Sequence, residues 1–111
     1  MSAGELRERV RFERRVETTD GYGNTKGQWL PQLTVAARIQ PLRGSEAVMA
    51  SRLQGVQPVL IVIRSSAAAR GIAPDWRAVD ARTGREYAIR TAQLRETADY
   101  VDLLCEAGPA A

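Results

Sequence analysis

The chain has 111 residues, of which 44% are apolar, and a formal net charge of +3. This length predicts a single domain with its own core. There is no histidine, and Cys105 is the sole cysteine, which removes the usual general base, the usual metal ligand and any internal disulfide. Charged residues at the start of the chain and short apolar runs predict a protein without export signal or membrane span. We therefore expect a cytoplasmic protein without catalytic activity, metal or cofactor.

The charges are unevenly distributed along the chain. Residues 38–90 contain nine arginines and four acids, whereas residues 91–111 contain one arginine and four acids. A basic middle and an acidic end can pair head to tail between copies of the chain, or the basic part can meet an acidic partner. A solvated surface of mixed charge explains the split equally well.

The first predicted strand covers residues 9–16 and follows a polar arm, residues 1–8. Two sets of side chains alternate in this strand, with Val10, Phe12 and Val16 on one face and Arg9, Arg11, Glu13 and Arg15 on the other. A period of two is typical of a half-buried strand. Phe12, the single phenylalanine of the chain, is predicted to anchor the core. Residues 18–27 are rich in glycine and polar residues and predict a loop or hairpin tip that contains Tyr22.

A second strand is predicted over residues 34–40, and an inserted loop or short helix over residues 42–57. Ser45 is a suitable N-cap for this helix, and Gly55 is a suitable residue just after its last turn. The apolar residues of the helix form only a narrow stripe, so the helix needs a partner surface. That surface is either the barrel or a neighbouring chain.

The remaining elements complete an antiparallel pattern. The continuous apolar run over residues 59–63 predicts a strand covered on both faces, with cover from within the chain favoured over cover by another subunit. Residues 65–74 predict a loop. The alternation and turn residues of segment 75–89 predict a β-hairpin. A last strand over residues 100–106 and a flexible tail over residues 107–111 follow.

These elements predict a mainly β fold: a small six-stranded antiparallel β-barrel with one short helix or long loop inserted between strands two and three. The inward-facing positions of the strands should form its core. The predicted core residues are Val10, Phe12, Val35, Ile39, Ile61, Ile63, Tyr87, Ile89, Val101 and Leu103.

Five segments, in their order and spacing, resemble the head-tail joining proteins (head closure proteins or head-tail adaptors) of long-tailed phages, prophages and gene transfer agents. The segments are residues 4–14, Asp20-Gly21 followed by Trp29, Ala37–Pro41 with Gly44 and Glu46, residues 61–64 and residues 85–89. The resemblance implies a small β-barrel that forms a ring beneath the portal of the DNA-filled head.

The resemblance also implies partners and a location. The protein would be a structural connector subunit of the virion, present in twelve copies, with a portal or adaptor protein above it and a tail terminator or tail protein below. Packaged double-stranded DNA would pass through the ring, and the subunit would reside in the host cytoplasm before assembly. We expect no contact with a membrane.

Two sets of site residues are predicted. In proteins of this family the loop between strands two and three reaches the channel, and here it maps to residues 42–57, where it either gates the channel or packs between subunits. The channel or inter-subunit residues are Arg43, Gly44, Ser45, Glu46, Met49, Arg52 and Leu53. The charge split separately predicts lateral contacts through the acids of the chain end. These acids are Glu96, Asp99, Asp102 and Glu106.

Two other classes of function are considered. A barrel of the OB type would bind single-stranded nucleic acid with arginines along the phosphates and aromatic side chains as stacking platforms. The candidate platforms are Tyr22, Trp29, Trp76 and Tyr87. An enzyme would have to rely on aspartate, glutamate, arginine or tyrosine, and the spacing of these residues matches no catalytic motif.

Overall fold

The computed structural model describes residues 6–43 and 46–107. Its elements are β1 (Glu8–Thr19), β2 (Thr25–Pro41), α1 (Glu46–Leu53), β3 (Gln57–Arg64), α2 (Ala67–Arg70), β4 (Arg77–Asp80), β5 (Glu86–Leu94) and β6 (Tyr100–Ala107). The strands are antiparallel and form one closed sheet in the order β1-β2-β3-β6-β5-β4. The predicted fold class is confirmed, including the short helix between β2 and β3.

The core lies inside the closed sheet, at the inward-facing positions of the strands. Of the ten predicted core residues, eight are buried, and Val35 and Ile39 are half-buried against the same core. The buried ones are Val10, Phe12, Ile61, Ile63, Tyr87, Ile89, Val101 and Leu103. The period-two pattern therefore predicted the correct face of the strands.

The connection between β3 and β4 contributes to the core as well. Its helix α2 is capped by Ser66, whose side chain accepts a hydrogen bond from the N–H of Ala69 at 3.0 Å. Ala69 and Ile72 are buried in the core cluster. The prediction of a plain loop over residues 65–74 is wrong, because a helix of four residues is too short to show an apolar period.

The predicted hairpin is formed by β4 and β5. The Asp80 carboxylate accepts a hydrogen bond from the N–H of Arg82 at 2.9 Å, and the N–H of Gly84 donates to the Asp80 carbonyl at 2.8 Å. Gly84 has a φ of +77°, a conformation that glycine adopts without steric cost. β4 pairs with β1 on its other side.

Residues of the same chain cover the outer face of β3. The sequence analysis favoured this arrangement over cover by another subunit. Val62 on this face is 1% exposed and packs with Leu6 and Tyr100. The cover of Val62 thus includes the segment before β1, which the sequence predicted as a polar arm. The predicted polar arm covered residues 1–8. Residues 1–5 lie outside the described residues, and β1 already begins at Glu8.

The boundaries of the insertion and the tail also differ slightly from the prediction. Gln57 belongs to β3, and its side-chain amide donates to the carbonyl of Leu42 at 3.1 Å. Ala107 belongs to β6 and is 1% exposed, while residues 108–111 lie outside the described part of the chain. None of the described helices is long and apolar enough to cross a membrane.

The hairpin of β1 and β2 extends beyond the closed sheet. Among the strand pairs described, β4 pairs with residues 10–13 of β1, and β3 pairs with residues 37–41 of β2. Residues 14–30 form a two-stranded ribbon paired only with itself, which we call the hairpin arm. The sequence predicted a loop over residues 18–27, because a ribbon exposed on both faces carries no apolar alternation.

Candidate assembly surfaces

The inserted segment forms a helix that lies against the barrel. α1 contacts β3, and Val48 is half-buried. Gly55 follows the last turn with a φ of +81°, as predicted. Gly44 and the predicted N-cap, Ser45, lie outside the described residues.

The opposite side of α1 presents apolar side chains to solvent. Met49 is 52% exposed and Leu53 is 87% exposed. Arg52 is exposed between them, and Arg43 is exposed just before the helix. Exposed apolar residues that lie together on one helix face often mark a protein contact.

The four acids predicted for lateral contacts lie on β6 and on the turn before it. Asp102 accepts two hydrogen bonds from Arg95 Nε, at 2.9 and 3.0 Å. Glu106 accepts hydrogen bonds from Arg90 Nε and Nη2 at 2.9 and 2.7 Å. These two carboxylates are thus already paired within the chain, a pairing that the sequence did not predict.

The other two acids are exposed in the turn. The hydroxyl of Thr97 donates a hydrogen bond to the Asp99 carboxylate, and this bond holds the pKa of Asp99 below its usual value. Glu96 is exposed two residues after Leu94, at the end of β5. The acidic surface therefore continues from β6 into the β5–β6 turn.

A carboxylate is buried where the hairpin arm leaves the barrel. Glu13 is 4% exposed, and its carboxylate accepts hydrogen bonds from Arg77 Nε at 2.6 Å and Arg11 Nε at 2.8 Å. The guanidinium of Arg77 also lies 4.6 Å from the ring centroid of Trp29. Arg77 therefore links β4 to both strands of the arm's base.

Glu13 lies on the same face of β1 as Arg11, as the alternation predicted, because the two side chains are hydrogen-bonded to each other. The register shift between Phe12 and Glu13 leaves Gln32 of β2 unpaired and does not change the alternation of β1. Arg77 lies opposite Glu13 in the pairing of β1 with β4. Glu13 is therefore buried among the side chains of its own face, which the sequence did not predict.

Opposing influences act on the pKa of Glu13. Burial raises the pKa, while hydrogen bonds and positive charge from Arg11 and Arg77 lower it, and the net result is a pKa below the ordinary value. The carboxylate is therefore held in its charged form, which is the form that both guanidinium groups stabilise.

The tip of the hairpin arm is organised by Asp20. Its carboxylate accepts hydrogen bonds from the N–H of Tyr22 at 2.8 Å and from the N–H and side-chain amide of Asn24 at 3.2 and 3.1 Å. These bonds, that of Tyr22 foremost, lower the pKa of Asp20. Gly21 and Gly23 both have a φ of +85°. Tyr22, between them, is 91% exposed.

The four aromatic residues proposed as stacking platforms are not equivalent. Tyr87 is 6% exposed, and its burial raises the pKa of its hydroxyl. Trp76 packs against the core, and Trp29 is engaged with Arg77. Of the four, Tyr22 alone projects freely into solvent, so they do not form a continuous surface for stacked bases.

Cys105 is a core residue, as predicted. It is 0% exposed, its S–H donates to the carbonyl of Leu103 at 3.6 Å, and burial raises the pKa of its thiol to about 12. The protonated thiol is a poor nucleophile and a poor metal ligand. Within residues 6–43 and 46–107, no group of three or more histidine, cysteine, aspartate or glutamate residues is arranged to hold a metal ion.

We expect dialysis against a chelator to leave both folding and assembly unchanged. A metal site needs several ligands with suitable geometry, and loss of a structural metal would unfold the protein. Circular dichroism before and after dialysis measures the first property, and incorporation into particles the second. A stoichiometric transition metal in the purified protein would contradict this prediction.

A closed sheet with a protruding arm and an exposed apolar helix face is an arrangement suited to a subunit of a larger assembly. The family model of phage head completion proteins matches residues 1–108. The chain therefore belongs to the phage head completion protein family, which confirms the resemblance noted in the sequence. This membership supports a structural role in head completion, as a component of the virion.

Solved structures of other proteins share the fold. A chain in the structure described as "Virion of native gene transfer agent (GTA) particle" has a TM-score of 0.65 and 22% identity, over 93% of this chain and 94% of that chain. The solution structure of protein SF1141 from Shigella flexneri 2a has a TM-score of 0.73 and 22% identity, over the full length of both chains. No curated protein sequence gives a significant match.

Proposed function

We propose that the protein is a non-catalytic connector subunit that forms a ring between the portal of the DNA-filled head and the tail. The ring closes the head and provides the surface to which the tail attaches. The observation that carries this proposal is the match of nearly the whole chain to the head completion family. The likeness to a chain of a gene transfer agent virion supports the same role.

The ring requires contacts between copies and with other virion proteins. In the proposal, twelve copies assemble, with a portal or adaptor protein above and a tail terminator or tail protein below, and packaged double-stranded DNA passes through the channel. The segment of residues 42–57 faces the channel or the next subunit, and the exposed pair Met49 and Leu53 suits either position. The subunit resides in the host cytoplasm before assembly and needs no cofactor.

Particles produced without this protein test the proposal directly. Negative-stain microscopy should show filled heads without tails, or heads that have lost their DNA. Particles from the same strain supplied with the wild-type protein are the control and should be tailed and infectious or transfer-competent. Normal tailed particles in the absence of the protein would overturn the proposal.

Charge reversal tests the proposed lateral contact through the acidic end. The double substitution Asp102→Lys and Glu106→Lys should leave the subunit folded, because both side chains lie on the outer, part-exposed surface, and should abolish its incorporation into particles. Circular dichroism measures folding, and the protein content of purified particles measures incorporation. Surface ion pairs contribute little to stability, about 0–1 kcal/mol each.

The control must separate the lateral contact from the loss of the intrachain pairs. Arg90→Gln with Arg95→Gln removes the same two ion pairs but leaves the acids in place. This control should be incorporated normally. If the lysine variant also joins heads to tails at normal yield, the acidic end is not the lateral surface.

A further inference from the structure

The hairpin arm presents an exposed anchor whose backbone conformation is set within the chain. The Asp20 carboxylate accepts a hydrogen bond from the backbone N–H of Tyr22, and Arg77 and Glu13 tie the base of the arm to the barrel. A preset backbone reduces the conformational entropy lost on binding, and tyrosine is among the residues that most often dominate protein interfaces. Residues 17–28 of the arm are exposed, so the arm is accessible to a partner surface.

The barrel has a groove that suits such an anchor. It lies between α2 and β5 and has a volume of about 270 Å³. The residues that line it are Ala69, Arg70, Ile72, Ala92, Gln93, Leu94 and Val101. Leu94, at its edge, is 42% exposed although it is a large apolar residue. A second, more polar depression shares Gln93 and Leu94 with the groove and also includes Glu96.

The chemistry of the groove complements the tip. Apolar side chains offer a surface for the Tyr22 ring, and the exposed amide of Gln93 can exchange a hydrogen bond with the phenol. The guanidinium of Arg70 can lie over the ring face. Lys26, next to the tip on β2, is exposed and carries the charge opposite to that of Glu96.

The arm and the groove are placed as a ring contact requires. On the side of the arm, the pairing of β2 with β3 ends at Ala37, which lies level with Ile63. Ile63 in turn lies level with Val101 of the groove. Both features are thus at the same end of the barrel. In the closed sheet β3 and β4 separate the β1–β2 side from the β5–β6 side, so the strands of the arm and the β5 wall of the groove lie on opposite sides of the sheet. Contacts between two different surfaces of this kind can close into a ring.

We infer that the tip of the hairpin arm of one copy inserts Tyr22 into the groove between α2 and β5 of the next copy. The inference rests on the proposed ring and identifies one of its subunit contacts. The six residues of β1 in the arm span about 20 Å, enough to reach past the edge of its own barrel to the neighbour. The contact uses one Tyr22 and one groove from every subunit, so it repeats around the ring.

Cysteine cross-linking in purified particles tests the contact. Thr25→Cys, beside the tip, and Gln93→Cys, in the groove, leave Tyr22 in place, and the buried native Cys105 gives no background. A short bis-maleimide should produce a ladder of covalent oligomers from this double variant. The matched control pairs Thr25→Cys with Thr83→Cys, in the β4–β5 turn at the other end of the barrel, and should give no ladder. Absence of the ladder in particles that contain the first double variant would overturn the inference.

Substitution of Tyr22 itself tests the contact if the double-cysteine variant is not incorporated into particles. Tyr22→Ala should fold like the wild type and reduce incorporation about 10-fold or more, the loss typical of an interface hot spot. Tyr22→Phe keeps the ring and should retain most of the incorporation. Wild-type incorporation of Tyr22→Ala would overturn the inference, whereas absence of the wild-type protein from particles would overturn the proposed function instead.

Discussion

Replacing Phe12 by alanine should destabilise the protein by about 3–5 kcal/mol, the usual range for truncation of a buried aromatic residue. Phe12 is 0% exposed and belongs to the central core cluster. It lies on β1, which pairs with both β2 and β4, so its ring supports the strand that closes the sheet. A loss of this size is a large part of the 5–15 kcal/mol that typically stabilises a small domain.

Urea denaturation followed by circular dichroism measures this effect. Tyr22→Ala is a matched control, because it also truncates an aromatic residue of the same hairpin but at a position that is 91% exposed. Its free energy of unfolding should change by no more than about 0.5 kcal/mol. A change of a few tenths for Phe12→Ala would mean that the core is not where the structure places it.

The substitution Glu13→Gln should destabilise the protein by about 1.5–3 kcal/mol, the range for hydrogen bonds that involve charged groups. Glutamine keeps the shape of the side chain but leaves Arg77 and Arg11 without their shared carboxylate. The side chains of Arg77 and Arg11 are 24% and 36% exposed, so water can hydrate the guanidinium groups that lose the carboxylate. This hydration offsets part of the lost free energy of unfolding. The cost therefore stays below that of breaking a fully buried pair.

The effect of Glu13→Gln should depend on pH. The pKa of Glu13 is lower in the folded protein than its ordinary value of 4.5, so its stabilising contribution is fully present above that value. The contribution is lost as the pH falls through the folded pKa. The difference in free energy of unfolding between wild type and Glu13→Gln should thus shrink in acid. Glu17→Gln, on the exposed arm, is the control and should show little difference at any pH.

The sequence predicted those parts of the fold in which one face of a strand is buried. The alternation in β1, β5 and β6 placed Phe12, Ile89 and Leu103 in the core, because the period of two is a direct consequence of the pleat. Turn chemistry predicted the β4–β5 hairpin in the same way. Both signals are local, so a single sequence contains them.

The features that were missed depend on contacts between distant parts of the chain. Glu13 and Arg77 are 64 positions apart, and they meet because β1 pairs with β4 in a register that places them opposite each other. The Arg90–Glu106 pair likewise depends on the neighbouring positions of β5 and β6. The hairpin arm has no buried face, and the groove combines α2 with β5, so neither leaves a periodic pattern in the sequence.

The closure of the sheet determines when during its synthesis a subunit can fold. β6 pairs with both β3 and β5, and β1 pairs with β4, so the closed sheet exists only after the last strand has been synthesised. Folds dominated by such distant pairings form slowly, in about milliseconds to seconds. During translation the β1–β2 hairpin can form first, but its core residues remain uncovered until β6 arrives. Newly made chains therefore pass through an open, aggregation-prone interval, and its length depends on the rate at which the ribosome completes the C-terminal strand.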